Sequence, residues 1–307
     1  MDQLDKIATV IDHFKLKVTA VESVPESYSS EVYKLMLGSG GTVYAKIPYN
    51  RDKLYRETRI LEKLKYVLPV PQVLDFWAGN DSVPGAMLLS AIEGLPCTGE
   101  VNEKLAYEIG ALHAKLHEVS MPGYGVDVQD GFRTVDQNDW RRHLKSNFEK
   151  WKEPCKEILD AALFQRCIDH FDNVFAALPQ PDGPCVVHMD FRPGNILVEE
   201  NRVTGIIDFE SARGGSSEID FTKVNRYIWE VYPTTRAAYI QGYESIRPIM
   251  DLDSILPFYS FYDAFSAVVW CNNRGVEKHR AFLMESISVL ELLVMYNRVK
   301  KIIRDDR

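Results

Sequence analysis

The 307-residue chain has no long apolar run. Its most apolar late stretch, residues 281–299, is interrupted by Glu285, Glu291, Asn297 and Arg298. That excludes a membrane span there and leaves a buried or amphipathic helix. There is no basic excess: the net charge is −8, which argues against a nucleic-acid surface. The five cysteines, Cys97, Cys155, Cys167, Cys185 and Cys271, form no C-x-x-C and are odd in number, so reduced thiols are the simplest reading. The first residues lack a basic segment followed by an apolar core, so no signal peptide is visible and a cytoplasmic location is expected. His113 and His117 are four apart, but no Glu stands between them in H-E-x-x-H form and no third ligand is evident. His117 therefore reads as a helix-end residue.

The length exceeds one typical core, and two lobes are expected. Residues 1–95 carry a charge of −1 and residues 96–307 carry −7. An acidic second part suits solubility and also a cationic small molecule.

Residues 186–210 carry the strongest pattern. Val186 and Val187 enter a polar loop, and Ile196 to Val198 leave it. Glu199 to Arg202 form a turn, and Val203 to Ile207 form another apolar run ending on Asp208. His188, Asp190, Asn195 and Asp208 thus sit at fixed offsets between apolar strands. Phosphoryl transfer needs such a set: one carboxylate for the attacking hydroxyl, and an amide oxygen and a second carboxylate for magnesium.

The H-x-D-x-x-x-x-N of His188, Asp190 and Asn195, followed by Ile207-Asp208-Phe209, resembles the aminoglycoside phosphotransferase and choline kinase-like family. The resemblance covers roughly residues 18–270 and implies an α+β, bilobal protein-kinase-like fold. An N-terminal lobe of residues 1–93 would hold a five-stranded antiparallel sheet and one helix. A larger, mostly helical lobe, residues 94–307, would hold the catalytic loop, metal site and acceptor pocket. The hinge would fall at Glu93-Gly94-Leu95-Pro96.

Taken in order, residues 2–15 have helical spacing, and strands follow at 17–21, 31–37 and 42–47. Lys46, after Val-Tyr-Ala, stands where the fold places its phosphate-binding lysine. The next helix offers Glu57 as its partner, with Glu62 as the alternative. The first strand turn has no G-x-G-x-x-G; Ser27, Ser29 and Ser30 offer phosphate donors instead, and a plain polar turn fits equally. A strand is expected at 85–92, and by analogy the carbonyl of Ser90 and the N–H of Ile92 would face the base. Helices are expected at 102–119, 139–148 and 157–178, with 121–137 irregular and residues 221–307 mostly helical and aromatic. Asp220 would cap the helix it opens and orient the catalytic loop.

The resemblance implies a kinase that moves the γ-phosphoryl of ATP or GTP to a hydroxyl of a small, cationic acceptor. An aminoglycoside leads. A macrolide, choline, a methylthio-sugar or homoserine, and a non-catalytic nucleotide-binding protein, are the alternatives. Asp190 would serve the acceptor, Asn195 and Asp208 would bind Mg2+, Lys46 and Glu57 would serve the phosphates, and His188 would brace the loop. Arg192 is open between contacting the γ-phosphate and forming a salt bridge to Glu210 or Glu218. Nucleic-acid and membrane partners are not expected, and the chain should be a monomer or weak dimer.

Overall fold

The structure is a computed structural model that describes residues 3–25 and 29–305. Ser27 lies outside the described residues. The chain falls into two compact units: Met1–Thr134 with Gly183–Pro248, and Val135–Asp182 with Ile249–Arg307.

In the first unit, α1 (Gln3–His13) precedes β1 (Val18–Ser23), β2 (Ser30–Leu37) and β3 (Thr42–Pro48). Then come α2 (Arg51–Leu64), β4 (Val73–Trp77) and β5 (Ala86–Ser90). The strands form one antiparallel sheet in the order β1-β2-β3-β5-β4. Strand alternation explains its core. Val43, Ala45 and Ile47 turn inward with Tyr33, Leu35 and Leu88, against Ile7 and Val10 of α1. The same period of two sends Lys46 to the opposite face, toward α2. That helix starts on Asn50, whose side chain accepts from the Lys53 N–H, and buries Leu54, Glu57, Ile60, Leu61 and Leu64 at helical spacing.

Next are β6 (Leu95–Pro96), α3 (Glu103–His117), β7 (Gly125–Val128) and β8 (Gly131–Thr134). The chain passes into the second unit with α4 (Trp140–Ile158) and α5 (Ala161–Phe175). It returns to the first with β9 (Cys185–Val187), β10 (Ile196–Glu199), β11 (Arg202–Ile206), β12 (Arg213–Gly215), α6 (Phe221–Val224) and α7 (Arg236–Glu244). It ends in the second with α8 (Leu252–Arg274) and α9 (Arg280–Asp305).

Two small antiparallel sheets carry the loop of interest: β11-β10-β6 and β8-β7-β12-β9. β10 and β11 turn through Glu200 and Asn201, both at positive φ, as a two-residue hairpin of the twist-matched kind requires. Two expectations are corrected here. Residues 121–137 are not irregular throughout, because 125–128 and 131–134 form a hairpin paired to β12. The chain also stays helical through 149–156, with Pro154 inside α4, and breaks instead at Leu159, where Asp160 caps α5.

The second unit has an aromatic core. Phe148 stacks on Phe171 with ring centroids 3.6 Å apart, and Phe258, Phe261 and Phe265 pack around them. Among the described residues no helix is long and apolar enough to cross a membrane.

Candidate active site

The loop from β9 to β10 is held from beneath by one carboxylate. Asp220 accepts from the N–H of His188 at 2.6 Å and of Met189 at 2.7 Å. Met189 has φ of 70°, uncommon for a side chain of that size, and the second bond fixes it. Asp220 does not cap α6: its side chain makes no capping hydrogen bond, because both oxygens face the loop.

Asp190 follows. Its Oδ2 accepts from Asn195 Nδ2 at 2.9 Å, and Arg192 Nε lies 3.0 Å and 3.2 Å from its two oxygens. Arg192 thus pairs with Asp190 itself. Burial would lower the Arg192 pKa, but the Asp190 carboxylate outweighs it and raises the value. The loop is tied to the segment that carries Asp208 at two points. The N–H of Ile207 donates to the Asn195 carbonyl at 3.0 Å, and His188 Nε2 lies 3.0 Å from the Ile207 carbonyl. His188 Nδ1 faces the N–H of Asp190 at 3.3 Å, so Nε2 carries the proton. Asp208 comes next, in a left-handed conformation with φ of 68°.

Lys46 meets Asp208 from the first sheet. Its Nζ lies 2.7 Å from Asp208 Oδ1, 2.8 Å and 2.9 Å from the two oxygens of Glu57, and 3.7 Å from Glu210. Burial would lower the Lys46 pKa; Asp208 first, then Glu57 and Glu210, raise it above its ordinary value. Burial pushes the Glu57 carboxyl up, to about 7, against the pull of the ammonium. Burial would also raise Asp208, but Lys46 outweighs it and holds the carboxyl low. Glu62 plays no part here, since it pairs with Lys65 at 2.6 Å.

Three residues of α2 also grip the segment after Asp208. Glu57 accepts from the Phe209 N–H at 3.1 Å, Lys53 donates to Glu210 at 2.8 Å, and Arg56 donates to the Glu210 carbonyl at 3.2 Å. Sequence reasoning missed Lys53 and Arg56. The signal available was Glu210, a carboxylate two residues past Asp208 that needs a cation once buried.

Beneath the loop, α3 and α7 cross backbone against backbone. A Cβ on Gly110 would meet the Tyr239 carbonyl at 2.1 Å, and one on Gly242 would meet the Tyr107 carbonyl at 2.0 Å. That approach pairs His113 Nδ1 with the Tyr239 hydroxyl at 2.6 Å and His117 Nδ1 with the Tyr243 hydroxyl at 2.8 Å. The Nε2 atoms of both histidines turn to Asp220, at 3.6 Å and 3.3 Å. Burial would raise the Asp220 carboxyl, but the bonds from His113 and His117 hold it far below the usual range.

Other expected positions lie apart from this cluster. Ser30 is the buried first residue of β2, opposite Pro48 and two pairs along from the Val32–Lys46 pair; Ser29 precedes it, half-buried. Ser90 ends β5, with its hydroxyl accepting from the Gln72 N–H at 2.9 Å. Ile92 follows, its side chain lying against Gly205.

The donor set suits magnesium. The Asn195 amide nitrogen is turned to two acceptors, the carbonyl and carboxylate of Asp190, both at 2.9 Å, so the amide oxygen is the end left for a cation. Asp208 keeps a second oxygen beyond the one on Lys46. Both are hard oxygen donors, which magnesium prefers.

A sequence profile described as the phosphotransferase enzyme family matches residues 20–253. A homoserine kinase of Rhizobium johnstonii is 27% identical over 199 residues, 63% of this chain and 59% of that one. A homoserine kinase of Gluconobacter oxydans is 28% identical over 177 residues, 55% of this chain and 52% of its own length. The chain thus spans just over half the length of these curated relatives. Among solved structures, a thermostable mutant of aminoglycoside phosphotransferase APH(4)-Ia aligns over 94% of this chain and 98% of its own, with a TM-score of 0.72 at 16% identity. The macrolide 2'-phosphotransferase MphH from Brachybacterium faecium covers 94% and 97%, with a TM-score of 0.64 at 15% identity. These neighbours show the α+β, protein-kinase-like fold: an antiparallel sheet region followed by a helical region. With its profile match spanning 20–253, the chain belongs to the phosphotransferase enzyme family.

Proposed function

We propose that the chain transfers the γ-phosphoryl group of a nucleoside triphosphate, ATP or GTP, to a hydroxyl of a small molecule. One observation carries this: Asn195 bonds Asp190, its carbonyl accepts from the N–H of Ile207 next to Asp208, and Asp208 bonds Lys46, so four residues spread over 163 positions of sequence are brought to one place. Asp190 accepts or orients the acceptor hydroxyl. Lys46, aimed by Glu57, binds phosphate oxygens. Asn195 and Asp208 would hold Mg2+, which when bound neutralises phosphate charge. His188 keeps the two segments in register, and Arg192, already on Asp190, supplies positive charge beside the transferring group. Catalysis here is positioning and charge stabilisation, as such transfers require. Base recognition falls to the backbone at Ser90 and Ile92, and Ser29 and Ser30 would serve the phosphates only from the strand turn.

For the acceptor, we favour an amine-bearing alcohol. The curated relatives named above are homoserine kinases, and the fold neighbours include aminoglycoside phosphotransferases. Homoserine and aminoglycosides both carry an amine as well as the hydroxyl, and the acidic second part of the chain suits an amine. The functional division falls at residues 93–94, and a monomer or weak dimer in the cytoplasm, where the five free cysteines stay reduced, is the working state.

A coupled nucleotide-turnover assay over homoserine, choline, aminoglycosides and macrolides tests this. One acceptor class should stimulate turnover. Asp190→Ala should abolish it with nucleotide binding kept, and Asp208→Ala should weaken Mg-nucleotide binding. Tight nucleotide binding without stimulation by any compound would favour a binding protein instead.

A further inference from the structure

We infer that His113 is a positioning residue for Asp190, holding the loop by its aromatic flank while Asp220 holds it by its backbone. The inference rests on the reading of Asp190 as the acceptor-facing carboxylate.

Asp190 stands between Met189 and Phe191. On one side, the Met189 N–H is fixed to Asp220 at 2.7 Å. On the other, the Phe191 ring is buried and lies flat on the His113 imidazole, with centroids 4.1 Å apart and planes 10° from parallel. His113 is itself fully buried on α3. Its ring is oriented by the Tyr239 hydroxyl, 2.6 Å from Nδ1. A neutral imidazole has one donor and one acceptor nitrogen. Tyr239 engages Nδ1, and Nε2 turns to Asp220 Oδ2 at 3.6 Å, a contact longer than a hydrogen bond.

One ring therefore does two things. Its edge addresses Asp220 and its face supports Phe191. An aromatic hydrocarbon in its place would keep only the face, and an aliphatic residue would keep neither. His117, one turn on, also reaches Asp220, at 3.3 Å, so losing His113 does not release Asp220. What His113 holds without help from His117 is the Phe191 ring, and through it the aim of the neighbouring Asp190. Misplacing a reacting group by about 1 Å costs about 100-fold in rate.

The test compares His113→Leu, His113→Phe and His113→Gln with wild type. The first readout is hydrogen–deuterium exchange, which needs no acceptor. In His113→Leu, amides of residues 186–192 should exchange at least tenfold faster while those of 42–48 stay unchanged, and His113→Phe should restore part of the protection. The second readout uses whichever acceptor the panel identifies. Turnover should fall at least tenfold in His113→Leu with the KM for nucleotide within twofold, and His113→Phe should recover part of it. Wild-type exchange at 186–192 in a folded His113→Leu protein would overturn the inference. So would faster exchange spread equally over 42–48, which is the mark of a merely structural residue. If His113→Leu does not fold, His113→Gln carries the same comparison, since it keeps a polar group for the Tyr239 hydroxyl but loses the ring face, with the same outcome overturning it. A wild-type protein inert on the whole panel would count against the kinase reading, and the exchange result would still decide the role of His113.

Discussion

Lys46 Nζ and Asp208 Oδ1 lie 2.7 Å apart although 162 positions separate them in the sequence. Glu57 holds the same ammonium, and Glu210 stands 3.7 Å away. Three carboxylates thus share one buried cation. Removing it strands the buried Glu57. Lys46→Met should cost about 3–5 kcal/mol, the usual penalty for breaking a buried pair from one side. Lys46→Met with Glu57→Gln should recover much of that loss. Urea unfolding of both variants checks it; equal stability of Lys46→Met and wild type would show that the cluster needs no cation.

Arg192 lies folded over its own loop. A Cβ at Gly194 would come within 2.6 Å of Arg192 Nη1, the far end of a flexible side chain. Gly194→Ala should therefore push the guanidinium off Asp190 while leaving the fold intact. Arg192→Ala should lower turnover by one to three orders of magnitude, about 1.4–4 kcal/mol. Gly194→Ala should act in the same direction, and the double variant should be no worse than Arg192→Ala alone. Additive rate losses in single-turnover measurements would mean that the two substitutions act through different routes.

Asp220 accepts from two backbone N–H groups, meets His117 Nε2 at 3.3 Å and faces His113 Nε2 at 3.6 Å. Asp220→Ala leaves the buried His188 N–H and its neighbour without an acceptor, at about 1–3 kcal/mol each. Denaturation should register a loss of several kcal/mol, and Asp220→Asn, which keeps one acceptor oxygen, should lose less. A loss of under about 1 kcal/mol for Asp220→Ala would show that the loop holds itself.

The same cluster sets an acid limit. Burial first, and then the neighbouring His117, lowers His113 to about 3. The unfolded chain takes up this proton near pH 6.5, whereas the folded chain refuses it until about pH 3. The stability from the neutral ring is therefore whole above about pH 6.5 and drains away as pH falls toward the folded value. Between pH 7 and pH 5 the loss should be about 2 kcal/mol for this one group. Burial lowers His170 in the same direction. Unfolding midpoints measured from pH 7 to pH 5 should fall less steeply in His113→Phe than in wild type.

How much of this was legible depends on where the information sits. His188, Asp190, Asn195 and Asp208 stood out because polar residues interrupt apolar strands at offsets that one tight loop can use. Lys46 stood out only through the family resemblance, after Val-Tyr-Ala; the structure adds that strand alternation puts it opposite Val43, Ala45 and Ile47. The partner of Arg192 was not legible, because a long side chain chooses among several carboxylates by rotamer, not by sequence spacing. The role of His113 was hidden for another reason. It depends on the crossing of α3 and α7 at Gly110 and Gly242, which joins segments 126 positions apart. The β7–β8 hairpin escaped because its strands are four residues long and their partner, β12, is Arg213-Gly214-Gly215, which reads as a loop.

The link leaving the first sheet is not slack. Leu95 and Pro96 pair with Val198 and Leu197, the Cys97 N–H donates to the Ile196 carbonyl at 2.8 Å, and Thr204 donates to the Glu93 carbonyl at 2.6 Å. The link is therefore sewn to the β10–β11 hairpin, whose two ends run into Asn195 and Asp208. A rocking motion that pulled on residues 93–97 would drag Asn195 and Asp208 with it. Such a joint is a crank and not a free swivel: whatever displaces residues 93–97 also displaces the hairpin bonded to them.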